Sequence, residues 1–210
     1  MISHQHKCIF IHIPKCGGTS IENVIWPEPR REEDLWMGFT SKYHNKYQTG
    51  GLQHLFAAHV LQEFGREIFD QYFKFTIVRN PWEKAISQYF YMARRPDLRE
   101  FIGMKEDDSF KSYLDLIQKK SHVQWEPQHK FITDVNGDLM VDFVGRLENI
   151  NDDAAYIFGK LGIDAVIEHV NATKHHHYSH YYDEESFEMV SHMYRDDIRL
   201  LQYTYDAKQN

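Results

Sequence analysis

A strand-like run near the start of the chain leads into two glycines, a threonine and a serine, in "CIFIHIPKCGGTSIENVIWP", residues 8–27. Gly17 and Gly18 let the backbone come close to an anion and point N–H groups at it. Thr19 and Ser20 add hydroxyl donors at the start of a predicted helix, whose dipole favours negative charge. The pattern predicts a phosphate-binding loop.

Lys15 supplies a cation to this loop, and its position ahead of the glycines is informative. A Walker A loop places four residues between two glycines and follows them with Lys and Ser or Thr. The sequence lacks that arrangement, so a magnesium-dependent kinase or nucleotide hydrolase is the less favoured alternative. A glycine-rich turn that binds no ligand is the structural alternative.

A second candidate anion site lies in "TIVRNPWEKAISQYF", residues 76–90. Arg79 follows a predicted strand, and Ser87 lies two helical turns after Asn80 on the same helix face. A guanidinium and a hydroxyl together can bind a second phosphate. The alternative is an arginine held by local carboxylates and a serine at a tight helix contact.

The elements that must position these residues alternate between strands and helices. Strands are predicted at 7–13, 73–78 and 141–150, with further short ones at 54–60 and 165–170. Helices are predicted at 18–25, 63–72, 80–93, 109–119 and 152–161, and one long helix ends the chain. Residues 27–50 are predicted to form a surface loop. This alternation predicts an α/β fold with a central parallel sheet flanked by helices, in one domain over residues 1–210.

The composition of the chain argues against some classes of partner and of cellular location. The net charge is −7, with 24 Lys and Arg against 31 Asp and Glu, which argues against nucleic-acid binding. No apolar run approaches the roughly 20 residues of a membrane span, and no signal peptide is recognised. Two cysteines do not form a disulfide framework. We therefore predict a cytoplasmic protein without stable membrane insertion; its oligomeric state is not predicted.

Both motifs are similar to those of a known family. "IFIHIPKCGGTSI" resembles the 5′-phosphosulfate loop, and "FTIVRNPWEKAISQYF" the 3′-phosphate motif, of sulfotransferases that use 3′-phosphoadenosine-5′-phosphosulfate (PAPS). The similarity continues in "WEPQHKFITD", "DFVGRLENI" and the final tail, so it covers most of the chain. Within that family, the chain resembles the carbohydrate branch that is related to heparan sulfate 2-O-sulfotransferase. The resemblance implies the three-layer P-loop fold of that family.

The resemblance also implies a donor, an acceptor and a set of contacts. PAPS would donate a sulfuryl group to a hydroxyl on a carbohydrate or small alcohol, without a metal. Lys15 would stabilise the leaving phosphate, where negative charge develops. A nucleotide- or glycan-binding module that has lost its catalytic base is a further alternative. The implied donor contacts are Lys15, Cys16, Gly17, Gly18, Thr19, Ser20, Arg79, Ser87 and Lys174.

Sulfuryl transfer to an alcohol needs a base, and the family branch uses a histidine after the long loop. The resemblance places His59 in this role, with His54 as the other candidate. The structural alternative is that His59 is a core histidine whose ring nitrogens are hydrogen-bonded within the protein.

Other residues receive weaker assignments. His12 is predicted to be structural and to orient the loop. The run "KHHH" at 174–177 is predicted to be a solvated loop, since its spacing does not favour a metal site. Trp125 and Gln128 are predicted to line an acceptor or adenine pocket, and Glu148 to be a structural partner.

Overall fold

The computed structural model describes residues 1–27, 54–167 and 176–207. The chain divides into two compact units. Unit 1 comprises Met1–Arg79 and Gln128–Asn171, and unit 2 comprises Asn80–Pro127 and Ala172–Asn210. The organisation of the whole chain as a single domain stays a prediction.

A four-stranded sheet in the order β1-β2-β3-β4 forms the centre of unit 1. Its strands are β1 Ile2–Ser3, β2 Cys8–Ile11, β3 Phe73–Val78 and β4 Phe143–Arg146. The strands β2, β3 and β4 are parallel, and β1 joins β2 in antiparallel register. Every residue of β2 is buried, as expected for a strand covered on both faces. The predicted α/β fold with a parallel core is confirmed, and β1 adds an antiparallel edge.

Helices connect and follow these strands. In chain order they are α1 Gly18–Ile25, α2 Ala57–Gln71, α3 Pro81–Met92, α4 Pro96–Ile102, α5 Phe110–Ile117, α6 His129–Ile132, α7 Ile150–Leu161, α8 Glu184–Met193 and α9 Arg195–Leu201. Short 3-10 turns lie at Val123–Trp125, Leu147–Asn149 and Tyr178–Tyr181. In the part of the chain described, no helix is long and apolar enough to cross a membrane.

The predicted strand at residues 54–60 is wrong. This segment leads into α2, where Ala57 and Val60 are buried while Ala58 is exposed. Burial at a spacing of three residues fits a helix turn, whereas a strand would alternate. The helix is interrupted at Gly65, whose φ of 79° is left-handed.

Two other predictions need correction. Residues 165–167 form no strand, and residues 168–170 lie outside the described part.

The predicted long final helix is two helices, α8 and α9, which meet at Tyr194. Tyr194 is buried, and its hydroxyl donates to the Trp125 carbonyl at 3.0 Å. The local sequence contains no glycine or proline that would mark a break there. The predicted loop at 27–50 lies outside the described residues beyond Pro27.

Unit 2 is built around α3. As predicted, Asn80 caps this helix and Pro81 occupies its first turn. The Asn80 Oδ1 accepts from the backbone N–H groups of Trp82 and Glu83 at 3.1 and 3.4 Å. The Trp82 indole stacks on Phe187, with ring centroids 5.9 Å apart. Aromatic side chains thus contribute much of this unit's core.

Candidate functional site

The loop after β2 turns through two left-handed residues before α1 begins. Lys15 has φ 66° and Gly17 has φ 76°. A Cβ on Gly17 would lie 2.5 Å from the Leu147 Cδ1, so both conformation and space favour glycine there. Thr19 is exposed and Ser20 half-buried in the first turn of α1, which contains no acidic residue. These features are compatible with an anion at this helix start, and anion binding there stays a prediction.

Arg79 lies beside this loop. It follows β3, which runs parallel to β2, so both chain segments emerge at the carboxyl edge of the sheet. The Arg79 Nη1 donates to the Lys15 carbonyl at 3.1 Å. The structure thus brings together a residue from each of the two predicted phosphate motifs within unit 1.

The Gln128 side chain joins these two segments. Its Oε1 accepts from the Arg79 backbone N–H at 2.9 Å, and its Nε2 donates to the Arg79 carbonyl at 2.8 Å. The Cys16 thiol also donates to Oε1, with Sγ and Oε1 3.3 Å apart. Gln128 is fully buried. Sequence reasoning missed these contacts, since they cross 49 and 112 residues of chain.

A buried histidine and glutamate connect β2 with α1. The His12 Nδ1 donates to the Glu22 Oε1 at 2.7 Å, and both side chains are almost fully buried. The His12 ring also occupies the space beside Gly18, where a Cβ would lie 2.3 Å from its Cδ2. The sequence predicted an orienting role for His12 but missed Glu22. One feature of the sequence could have identified Glu22, because its carboxylate lies on the same helix face as the apolar Ile21 and Ile25.

His54 packs on His12 and is also buried. The two ring centroids are 4.5 Å apart, and the His54 Nδ1 donates to the His12 carbonyl at 2.9 Å. Because a carbonyl only accepts, this contact places a hydrogen on Nδ1. In the neutral ring the basic lone pair is then on Nε2.

His59 has a different environment. It lies in the first turn of α2, where its Nδ1 accepts from the Phe56 backbone N–H at 3.3 Å. This contact places the lone pair on Nδ1 and the hydrogen of the neutral ring on Nε2. The ring also stacks on Phe56, with centroids 5.1 Å apart. His59 therefore contributes to the start of the helix.

The remaining candidates lie in unit 2, in exposed turns or outside the described part. Ser87 is buried in α3 of unit 2, and Lys174 lies outside the described residues. The Trp125 indole donates to the Lys120 carbonyl at 2.7 Å, so this N–H has a partner within unit 2. Glu148 is exposed in the turn after β4. Among the residues described, no group of three His, Cys, Asp or Glu side chains has the arrangement of a metal site.

Comparison with known proteins adds independent findings. A model of the sulfotransferase family matches residues 1–204. The chain is 24% identical over 195 residues to carbohydrate sulfotransferase 10 of Xenopus laevis, covering 79% of this chain and 54% of that protein. The chain thus spans about half the length of this relative. An uncharacterized protein of Archaeoglobus fulgidus is 29% identical over 107 residues, or 47% of this chain and 75% of that protein.

A solved structure is also similar. The crystal structure of a sulfotransferase from Alicyclobacillus acidocaldarius aligns with a TM-score of 0.52 at 16% identity. The match covers 93% of this chain and 96% of that one. This similarity is one of fold.

Proposed function

Because the chain belongs to the sulfotransferase family, we propose that it transfers a sulfuryl group from PAPS to an acceptor hydroxyl on a carbohydrate or small alcohol. The observation that carries the proposal is the junction of the two anion motifs, where Arg79 donates to the Lys15 carbonyl at 3.1 Å. The frog relative's name, carbohydrate sulfotransferase, supports a sugar as the acceptor.

The proposed roles in donor binding follow from charge and position. The N–H groups at the start of α1, together with Thr19 and Ser20, bind the 5′-phosphate. Lys15 stabilises the negative charge that develops on the leaving phosphate. Arg79 binds the 3′-phosphate, and Ser87 and Lys174 remain proposed donor contacts. With these groups the site supplies positioning and positive charge, the two requirements of an in-line group transfer.

The first test is donor binding. We expect 3′-phosphoadenosine-5′-phosphate, the product nucleotide, to bind the purified protein in calorimetry, and Lys15→Ala to weaken binding. Transfer of labelled sulfate to a library of sugars and alcohols, read by mass spectrometry, would then identify the acceptor. Absence of nucleotide binding would contradict the proposal. Magnesium-dependent ATP turnover that Lys15→Ala abolishes would favour the kinase or hydrolase alternative instead.

The two candidate bases differ in the hydrogen bond that each Nδ1 makes, since that of His54 donates and that of His59 accepts. We propose His54 as the base, since its Nδ1 contact leaves the basic lone pair on Nε2. The sequence-based choice, His59, stays a prediction, but its Nδ1 is engaged by the Phe56 N–H in α2. A base of this kind contributes about 10²–10⁴-fold to the rate of transfer.

Matched substitutions distinguish the two histidines. We expect His54→Asn to lower kcat by about 100-fold or more while nucleotide affinity stays unchanged. His59→Asn should retain kcat and cost little stability, because the asparagine Oδ1 can replace Nδ1 as the acceptor of the Phe56 N–H. The opposite pattern would assign the base to His59. Full activity in both variants would exclude a histidine base from these two positions.

A further inference from the structure

We propose that Gln128 is a positioning residue that sets the protein's preference for a 3′-phosphorylated nucleotide. This inference rests on the proposed function, because it assigns the 3′-phosphate to Arg79. It starts from contacts of the Gln128 side chain at 2.9 and 2.8 Å to the Arg79 backbone and at 3.3 Å to the Cys16 thiol.

The two contacts to Arg79 engage both polar groups of its backbone, the N–H as a donor and the carbonyl as an acceptor. A side-chain amide that pairs with the N–H and the carbonyl of one residue acts as a neighbouring peptide group does in a sheet. The paired strands end just before this point, where Val78 lies opposite Arg146. Gln128 therefore orders the first residue after β3, the residue that carries the guanidinium.

The third contact links this order to the phosphate loop. Cys16 lies between Lys15 and Gly17, and its thiol donates to the same Gln128 oxygen that accepts from Arg79. The Arg79 Nη1 returns to the Lys15 carbonyl at 3.1 Å. Loop, glutamine and arginine thus form a closed set of contacts, so displacement of any one shifts the others.

Full burial makes this set sensitive to substitution. Gln128 has no exposed surface, so loss of its amide leaves the Arg79 backbone groups without these partners in a dry environment. The guanidinium must hold a fixed direction to bind a phosphate with two N–H groups. Looser backbone at Arg79 therefore weakens the 3′-phosphate contact more than the 5′-phosphate contact.

The test measures a ratio of affinities, which a purely structural role would leave unchanged. Calorimetry gives the Kd of each protein for 3′-phosphoadenosine-5′-phosphate and for adenosine 5′-phosphate, which lacks the 3′-phosphate. We expect Gln128→Met to lower the preference for the first nucleotide by about tenfold. Arg79→Ala should remove most of the preference, and adding Gln128→Met to it should change the ratio no further.

Gln124→Met is the matched control. Gln124 is also a buried glutamine, in the turn Val123–Trp125 of unit 2. Within the described residues its Oε1 has no hydrogen-bond partner, so its replacement should leave the ratio unchanged. Should Gln128→Met fail to fold, as judged by urea unfolding, Gln128→Glu takes its place. It retains an oxygen for the Arg79 N–H and loses the donor to the carbonyl, and it should also lower the ratio.

The outcomes distinguish a failure of the proposed function from a failure of the proposed role of Gln128. A wild-type protein that binds neither nucleotide, or both equally, contradicts the proposed function and with it this inference. A wild-type protein that prefers the 3′-phosphorylated nucleotide, together with a folded Gln128 variant of unchanged preference, overturns the role of Gln128 alone. A lowered preference in that variant, but not in Gln124→Met, supports it.

Discussion

Gly18 has no room for a side chain, because the His12 ring lies where a Cβ would be. The nearest ring atoms, Cδ2 and Nε2, are 2.3 and 2.4 Å from that position. The ring cannot easily move, since its Nδ1 is bonded to the buried Glu22. Gly18→Ala should therefore lower the free energy of unfolding by about 1–3 kcal/mol, measured by urea unfolding.

Gly159→Ala provides the control for that prediction. Gly159 lies inside α7, and a Cβ there would meet nothing within 4 Å. Its replacement should be neutral or stabilise the protein by up to about 1 kcal/mol, as expected from helix propensity. A Gly18→Ala protein that unfolds at the same urea concentration as Gly159→Ala would mean that the ring relaxes freely.

The pair His12–Glu22 supports a second prediction at the residue level. Glu22→Leu leaves the buried His12 Nδ1 without this acceptor, so it should destabilise the protein by about 1–3 kcal/mol. Glu22→Gln retains a side-chain oxygen at a similar position and should cost less. Thermal and urea unfolding of both variants would test this order. Equal losses would mean that the hydrogen bond is not what stabilises the pair.

Among the elements, α3 depends on its cap. Asn80 Oδ1 accepts from the N–H groups of Trp82 and Glu83, and Asn80 Nδ2 donates to the Thr204 carbonyl at 3.2 Å. Asn80→Ser and Asn80→Ala both remove the Nδ2 contact, but only serine can still cap. We expect the alanine variant to be less stable than the serine variant by about 1 kcal/mol in urea unfolding. Equal stability would mean that the cap contributes nothing.

The sequence predicted these elements unequally well. The helix α1 and the strand β3 have the predicted bounds, since Gly-Gly, Asn-Pro and a run rich in aromatic and β-branched residues mark them locally. "HLFAAHV" was assigned to a strand, because a short apolar run does not distinguish a strand from a buried helix. The break at Tyr194 is not marked by glycine or proline, so no local pattern revealed it.

The residues of the candidate site were also predicted unequally well. Lys15, the glycines and Arg79 were found because phosphate-binding loops use fixed residue types at strand ends. That Arg79 contacts the loop followed from parallel strands, which place their ends at one edge. The sequence gives no sign of the contacts that Glu22 and Gln128 make, although Gln128 is predicted to line a pocket. Only packing brings these two residues to His12 and Arg79. Long-range partners of this kind require the folded chain.

At the scale of the molecule, the tyrosines make the protein sensitive to alkali. Of its 13 tyrosines, several in unit 2 have a raised pKa, chiefly because burial disfavours the phenolate. The strongest cases are Tyr113, Tyr182 and Tyr194. An unfolded phenol ionises at a pH of about 10. Above that pH the unfolded chain gains phenolates that the folded one resists, so stability should fall as pH rises.

Phenolate absorbance measured against pH would test this. The native protein should show only part of the amplitude seen in concentrated urea, and the rest should appear together with loss of the circular dichroism signal. Ionisation of all tyrosines near pH 10, with the circular dichroism signal intact, would contradict the burial of these phenols.

The amide pairing of Gln128 with Arg79 has a consequence for hydrogen exchange. The Arg79 N–H lies beyond the last strand residue, yet it donates to a buried oxygen at 2.9 Å. Its exchange with solvent deuterium should therefore be slow, like that of β3 and unlike that of a loop. Because the contact needs no bound nucleotide, this one proton reports how well the empty protein is preorganised. Its protection in Gln128 variants would measure that order separately from any loss of affinity.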